Sequence, residues 1–245
     1  MSDLPVYWIN MTKRADRRRH MLQHFDQLHI TDHTRITPIV DVKPNASCIN
    51  SHHTAMKTAY LDRHDMVMIV EDDLVLTTRC LNRVDQALKL LPEGWDCLQV
   101  HTIDPSLIEA VLDKQYPNAI VEGYLMACTC YIFNRNGLKK MLDKMGHTEA
   151  RYTLLDNAIS EQFVYNYCNS YFMLHPIVNT NETRSDIQSS DDLNIKNMNV
   201  VNRFLQADVD CNWFPGVLHM PPGVHWSGNT AGAEQILKTM FGSNA

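Results

Sequence analysis

Paired cysteine is missing from this chain. Seven Cys occur in 245 residues, an odd number, and none stands in a C-x-x-C pair. That argues against a disulfide framework and against a zinc-ribbon or dithiol motif, and favours a reduced, cytoplasmic setting. Cys97, Cys128 and Cys130 sit in apolar runs and read as small core residues. Excess positive charge is missing too. Lys and Arg number 22 against 28 Asp and Glu, a formal net charge of −6, which makes nucleic acid a poor main partner. The one basic cluster, residues 13–19, is short and broken by Asp16. It suits a nucleotide diphosphate better than a polymer. No run approaches the roughly 20 apolar residues of a membrane span, so none is expected. Residues 1–10 lack the cationic start and the length of a secretory signal. No internal repeat is visible.

What is present fits a folded α/β chain. Hydrophobic residues make up 44% and charged residues 20%. The length suits one domain over 1–245, with a nucleotide-binding half at 1–100 and an acceptor-side half at 101–245. The run Pro-Val-Tyr-Trp-Ile at 5–9 reads as a buried strand. Asp16 is placed to cap a helix to about Leu28, with Met21, Leu22, Phe25 and Leu28 inward. A second strand is expected over 35–40, and 41–45, with Pro44, reads as a loop. A helix starting at Asn50 or Ser51, or with Cys48 and Ile49 in its first turn, is expected to reach Leu61. The apolar run 66–70 reads as a strand buried on both faces of a mostly parallel sheet. Further helices are expected over 81–91, 137–145 and 155–167 and from about Ala233. Further strands are expected over 97–100, 127–133 and 171–174. The polar stretch 179–200 reads as a long mobile loop. Alternating strands and helices imply a layered α/β fold with ligands at the carboxyl ends of the strands.

The sharpest feature is the triplet Glu71-Asp72-Asp73 directly after the buried-type strand. Three adjacent acids raise one another's pKa unless a cation sits among them. A hard divalent ion with oxygen ligands, Mn2+ or Mg2+ carrying a nucleotide diphosphate, relieves that repulsion. In an extended segment Glu71 and Asp73 point to one side and Asp72 to the other. Glu71 and Asp73 are then the metal pair, and Asp72 is left for a base or another side chain. The plainer alternative is a solvated strand end or a helix cap before Leu74.

Three stretches together resemble glycosyltransferase family 25, which includes lipopolysaccharide and collagen galactosyltransferases. Residues 6–17 (Val-Tyr-Trp-Ile-Asn-Met-Thr-Lys-Arg-Ala-Asp-Arg) are similar to its opening strand and the polar loop after it. Ser51-His52, followed by 65–73, is similar to a Ser-His helix and the strand ending in Glu-Asp-Asp. Residues 131–142 are similar to a later strand and helix. His53 departs from the pattern, where an apolar residue is usual. Order and spacing agree from residue 6 to about 187, with Asp156 and 184–187 resembling a late acid and a Ser-containing segment.

The resemblance implies a GT-A type, Rossmann-like fold, a UDP-sugar donor, a divalent metal and inversion at the sugar carbon. It places Asn10, Arg14, Arg17, Ser51, His52, Glu71 and Asp72 at the donor, with Arg suited to bidentate phosphate contact. Ser51 and His52 are expected to begin a helix whose N-terminus attracts an anion. Metal ligands are expected at Asp73 and Glu71, with His225 a third. Asp156 is the candidate base; the plain alternative for it is a first-turn acid on the helix dipole. The sugar is galactose or glucose. The acceptor is a glycan, a lipid-linked sugar or a hydroxylated peptide. Two rivals stand beside this reading. A nucleotidylyltransferase would open with a Gly-rich loop and a Lys, yet residues 10–14 contain no Gly. A non-catalytic binding module would not be expected to keep the acidic triplet intact.

Overall fold

The computed structural model describes residues 4–38, 44–76, 78–100, 117–123, 128–145, 167–175, 178–180, 213–219 and 230–242. Among these, ten strands and five helices follow in the order β1 Val6–Ile9, α1 Ala15–Gln27, β2 His33–Ile36, α2 Pro44–Leu61, β3 Met66–Glu71, β4 Leu74–Leu76, α3 Thr78–Leu90 and β5 Cys97–Gln99. The chain continues with β6 Asn118–Glu122, β7 Cys130–Asn134, α4 Arg135–Met145, β8 Ser170–Met173, β9 Val178–Thr180, β10 Trp213–His219 and α5 Thr230–Phe241.

Eight strands form one sheet in the order β10-β6-β8-β5-β7-β3-β1-β2, while β4 and β9 make a separate antiparallel ribbon. Four of the seven pairings in the large sheet are parallel: β1 with β2, β1 with β3, β5 with β8, and β10 with β6. The other three are antiparallel. The fold is therefore α/β with a mixed sheet in which parallel pairing holds the majority.

Period-two alternation divides the core into two layers. Val6, Trp8, Met68, Val70, Cys130 and Ile132 face one side, packed with Met21 and Phe25 of α1 and Cys80, Val84 and Ala87 of α3. Tyr7, Ile9, Val67, Ile69, Tyr131 and Phe133 face the other, packed with Ala55, Met56 and Ala59 of α2 and Leu138 and Met141 of α4. Both faces being covered explains why β3 carries no polar residue before Glu71.

The path of the chain places the site. From β1 it crosses through α1 to β2 on one side, then through α2 to β3 on the other side of β1. The strand order thus reverses between β1 and β3. In open α/β sheets, the crevice outside the carboxyl ends at such a reversal is where ligands bind.

Several expectations need correction. Arg14, not Asp16, is the N-cap residue of α1; it makes no side-chain cap bond, and Asp16 lies in the first turn. Leu22 is exposed, and Arg17 takes its place on the buried face. Helix α2 begins at Pro44, so the loop expected at 41–45 gives way to helix at its end. Proline suits a first helical turn because its missing N–H is an orphan there anyway. Asn179 and Thr180 belong to β9 rather than to a loop. Strands β4, β6, β9 and β10 were not anticipated. The helix expected over 155–167 lies outside the described residues except at Tyr167, which stands in a bend, and the rest of the 179–200 stretch lies outside them too, as do Arg184 and Asp186.

Candidate functional site

The site is built at the ends of three adjacent parallel strands. Ile9, the last residue of β1, is in register with Glu71, the last of β3. One residue further on, Asn10 and Asp72 meet: Asn10 Nδ2 donates to Asp72 Oδ2 at 2.6 Å. Arg35 on β2 closes the row from the other side. Its Nε donates to Asn10 Oδ1 at 2.9 Å, and its Nη2 to the Asn10 carbonyl at 3.2 Å. Both Asn10 and Asp72 are buried.

Arg17, in the first turn of α1, points its guanidinium at the acids. Nη1 is 2.9 Å from Asp72 Oδ1 and 3.5 Å from Asp73 Oδ2. One group reaching both carboxylates corrects the expectation that Asp72 and Asp73 point to opposite sides. The strand ends at Glu71, and Asp72-Asp73 form a turn before β4. The extended alternation that separates neighbours therefore stops one residue too early.

The electrostatics remain unbalanced. Burial pushes the Asp72 carboxyl above its ordinary range, and the hydrogen bonds from Asn10 and Arg17 oppose this without cancelling it. Asp73 is pushed up to about 7, first by burial and next by the charge of Glu71; Arg17 pulls the other way and Asp72 adds to the rise. The Asp73 side chain as a whole is 22% exposed, yet its Oδ1 is sealed and has no hydrogen-bond partner. Two acids, Asp72 and Asp73, thus share one guanidinium beside a third, Glu71, and one carboxylate oxygen of Asp73 is left over. An orphaned hard oxygen beside a second carboxylate fits a divalent cation such as Mn2+ or Mg2+.

Glu71 has a partner of its own. His52 Nε2 lies 3.1 Å from Glu71 Oε1, and His52 Nδ1 lies 2.6 Å from the Tyr131 hydroxyl. The two rings stack with centroids 5.8 Å apart. Burial holds the Tyr131 phenol well above its ordinary range. In the neutral imidazole, a carboxylate can only accept, so Nε2 carries the proton and Nδ1 accepts from the Tyr131 hydroxyl.

Of the residues expected at the site, Asn10, Arg17, His52, Glu71, Asp72 and Asp73 are brought to one crevice edge. Arg14 joins them through its backbone, its carbonyl accepting from Asn10 Nδ2 at 3.1 Å. Its guanidinium pairs in a fork with Asp16 at 2.9 and 3.1 Å, a contact that holds the Asp16 carboxyl well below its usual range. Ser51 and His52 do not begin a helix. They lie two turns into α2, and Ser51 Oγ donates back to the Ser47 carbonyl at 2.5 Å, so no helix N-terminus faces a ligand there. Asp156 and His225 lie outside the described residues. Arg35, Cys48 and Tyr131 were missed. Cys48 had a signal, since it stands four residues before His52 on one helix face; Tyr131 had none, because it looked like one more apolar strand residue.

No protein-family model matches the chain, and no curated protein matches it. Among solved structures, one similar chain is a protein described as a glucose-1-phosphate thymidylyltransferase from Bacillus anthracis, in complex with a sucrose. It is 10% identical, has a TM-score of 0.43, and the match covers 86% of this chain and 97% of that one. Another is a protein described as a nucleotide-diphospho-sugar transferase from Desulfovibrio desulfuricans G20, 12% identical with a TM-score of 0.36, covering 83% and 99%.

Proposed function

We propose that the protein is a metal-dependent glycosyltransferase that moves galactose or glucose from a UDP-sugar to an acceptor hydroxyl. One observation carries this reading. An acidic turn with an unpaired, sealed carboxylate oxygen stands at the carboxyl end of β3, at the reversal of strand order. A purely structural turn has no use for that arrangement, because each uncompensated buried acid costs stability.

Asp73 and Glu71 would hold Mn2+ or Mg2+, with His225 a third ligand, and the ion when bound supplies charge stabilisation to the departing diphosphate. The chain's own groups do the rest. Arg17 fixes the Asp72-Asp73 turn, and Asn10 ties it to β1, so the acids keep their positions as the donor arrives. His52 orients Glu71. Asp156 accepts the proton of the acceptor hydroxyl as its oxygen bonds to the anomeric carbon, while the bond from that carbon to the UDP oxygen breaks. A single displacement of this kind inverts the anomeric centre. The acceptor is a glycan, a lipid-linked sugar or a hydroxylated peptide.

The test is a panel of nucleotide sugars with and without Mn2+, followed by melting temperature and by released nucleotide. Ligands that bind only the folded state raise the melting temperature by mass action. A Mn2+-dependent rise together with UDP release supports the reading. Release of pyrophosphate from a nucleoside triphosphate and a sugar phosphate would replace it with a nucleotidylyltransferase. Binding without turnover would leave a binding module.

A further inference from the structure

A second group of ligand atoms lies behind the acidic turn, and its chemistry differs. Cys48 Sγ, a His52 ring nitrogen and a Glu71 carboxylate oxygen all lie within 4.8 Å of one another. We propose that Cys48, His52 and Glu71 form a site for a thiophilic divalent cation, Zn2+, separate from the position centred on Asp73 but sharing Glu71 with it.

The placement follows from the fold. Cys48 and His52 stand four residues apart on α2, hence on one helix face. Glu71 arrives from the end of β3, which α2 covers. Ligands at about 2.0–2.3 Å from a tetrahedral ion sit roughly 3.5 Å from each other. The 3.1 Å separation of His52 Nε2 and Glu71 Oε1 is already of that order, and small rotations about the Cys48 and Glu71 side chains bring the sulfur in.

His52 is the built part of the site. It is 1% exposed, its ring stacks on Tyr131, and its far nitrogen meets the Tyr131 hydroxyl at 2.6 Å. Ligating imidazoles are held in this manner, the second nitrogen fixed by an outer partner. On binding, the ion takes the lone pair of Nε2, the ring proton shifts to Nδ1, and Nδ1–H donates to the Tyr131 oxygen. The Cys48 thiol gives up its proton to solvent as its sulfur bonds to the ion. Cys48 is partly exposed, which gives the ion a way in and leaves a fourth position for water.

Donor type decides the ion. A mixed sulfur, nitrogen and oxygen set selects Zn2+ over Mn2+ or Mg2+, which prefer oxygen. Because Glu71 belongs to both positions, Zn2+ at the sulfur-containing site withdraws a ligand from the donor site and opposes Mn2+-supported donor binding. That consequence rests on the proposed function; the site itself does not.

The experiment titrates the chelator-treated full chain with Co2+, a spectroscopic stand-in for Zn2+, without nucleotide, and then displaces it with Zn2+. One equivalent of Co2+ should bind and give a thiolate charge-transfer band in the near ultraviolet. Cys48→Ser, a near-isosteric change at a partly exposed position, should abolish the band and weaken binding at least tenfold. Tyr131→Phe should keep the band and weaken binding by roughly 10-fold or more, as loss of an outer partner does. Asp73→Ala should leave the band untouched, which separates this site from the proposed donor site. Failure of the wild-type chain to bind one equivalent, or a band that survives Cys48→Ser, overturns the proposal.

Discussion

Arg17 and Asp72 are 55 residues apart in sequence, yet their side chains form a buried ion pair, Nη1 to Oδ1 at 2.9 Å, that locks α1 to the end of β3. Breaking such a pair from one side leaves a charge without compensation, at a cost of about 3–5 kcal/mol. Arg17→Met should lose stability of that order in urea unfolding at neutral pH. The loss should shrink at pH 5, where the Asp72 carboxyl, pushed up by burial and no longer held down by the Arg17 guanidinium, takes up a proton. A loss that does not vary with pH would show that the pair contributes packing alone.

Asp73 makes the opposite kind of contribution. Its carboxyl titrates at about 7 in the folded chain against an ordinary 3.8. The folded state therefore holds a proton that the unfolded state has released between those values, and stability falls as pH rises from about 4 to 7. Chelator-treated protein should show this slope, of about 2 kcal/mol once solvent access to the side chain and coupling to Glu71 are allowed for. Asp73→Asn should flatten it and be the more stable protein at pH 8. A slope that survives the substitution would move the titration elsewhere.

Asp73→Ala should abolish Mn2+-dependent donor binding while the fold survives, read by calorimetry with UDP and by circular dichroism. Unchanged turnover at saturating Mn2+ would remove Asp73 from the site.

Asp156→Asn should retain donor binding and lose transfer, by roughly 100-fold or more if the carboxylate is the base. Normal transfer would assign that role to another residue.

Gly137, in the first turn of α4, is tied to the sheet by contact rather than by conformation. A Cβ there would lie 2.3 Å from the Asp96 carbonyl oxygen and 2.9 Å from its carbon. Backbone is not free to give way, because Asp96 is fully buried and holds Asn136, Lys140 and the Asn169 amide. Gly137→Ala should cost about 1–3 kcal/mol in urea unfolding. An unchanged midpoint would mean that α4 can shift on β7.

The layers of this fold were legible where the sequence obeyed a period. Residues 6–9 and 66–70 are continuous apolar runs because both sheet faces are covered, and that pattern names a strand without help from elsewhere. Strand β10 was hidden for the converse reason. Pro215 and Gly216, the latter at φ 125°, interrupt Trp213–His219, and the register with β6 shifts between Trp213 and Val217. Proline inside a run argues against a strand unless it falls at an edge or a bulge, and here both hold. Pro44 misled in the same way at the start of α2. The acids at 71–73 were legible as a site because three neighbouring carboxylates demand compensation. What supplies part of it was not legible. Arg17 and Asn10 come from 55 and 62 residues away, and only the β1–β3 register brings them in. The turn at Asp72-Asp73 escaped notice because nothing in the run marks where pairing with β1 stops.

The ribbon of β4 and β9 sets a timetable for synthesis. Leu74–Leu76, the residues that leave the acidic turn, find their strand partner among the described residues in Val178–Thr180. A nascent chain can lay β1, β2 and β3 side by side and bury Leu74 and Leu76 against α1 while still short, but β4 gains its strand partner only after about a hundred further residues have left the ribosome. Closing so long a loop comes late because its entropy must be met before the pairing is gained.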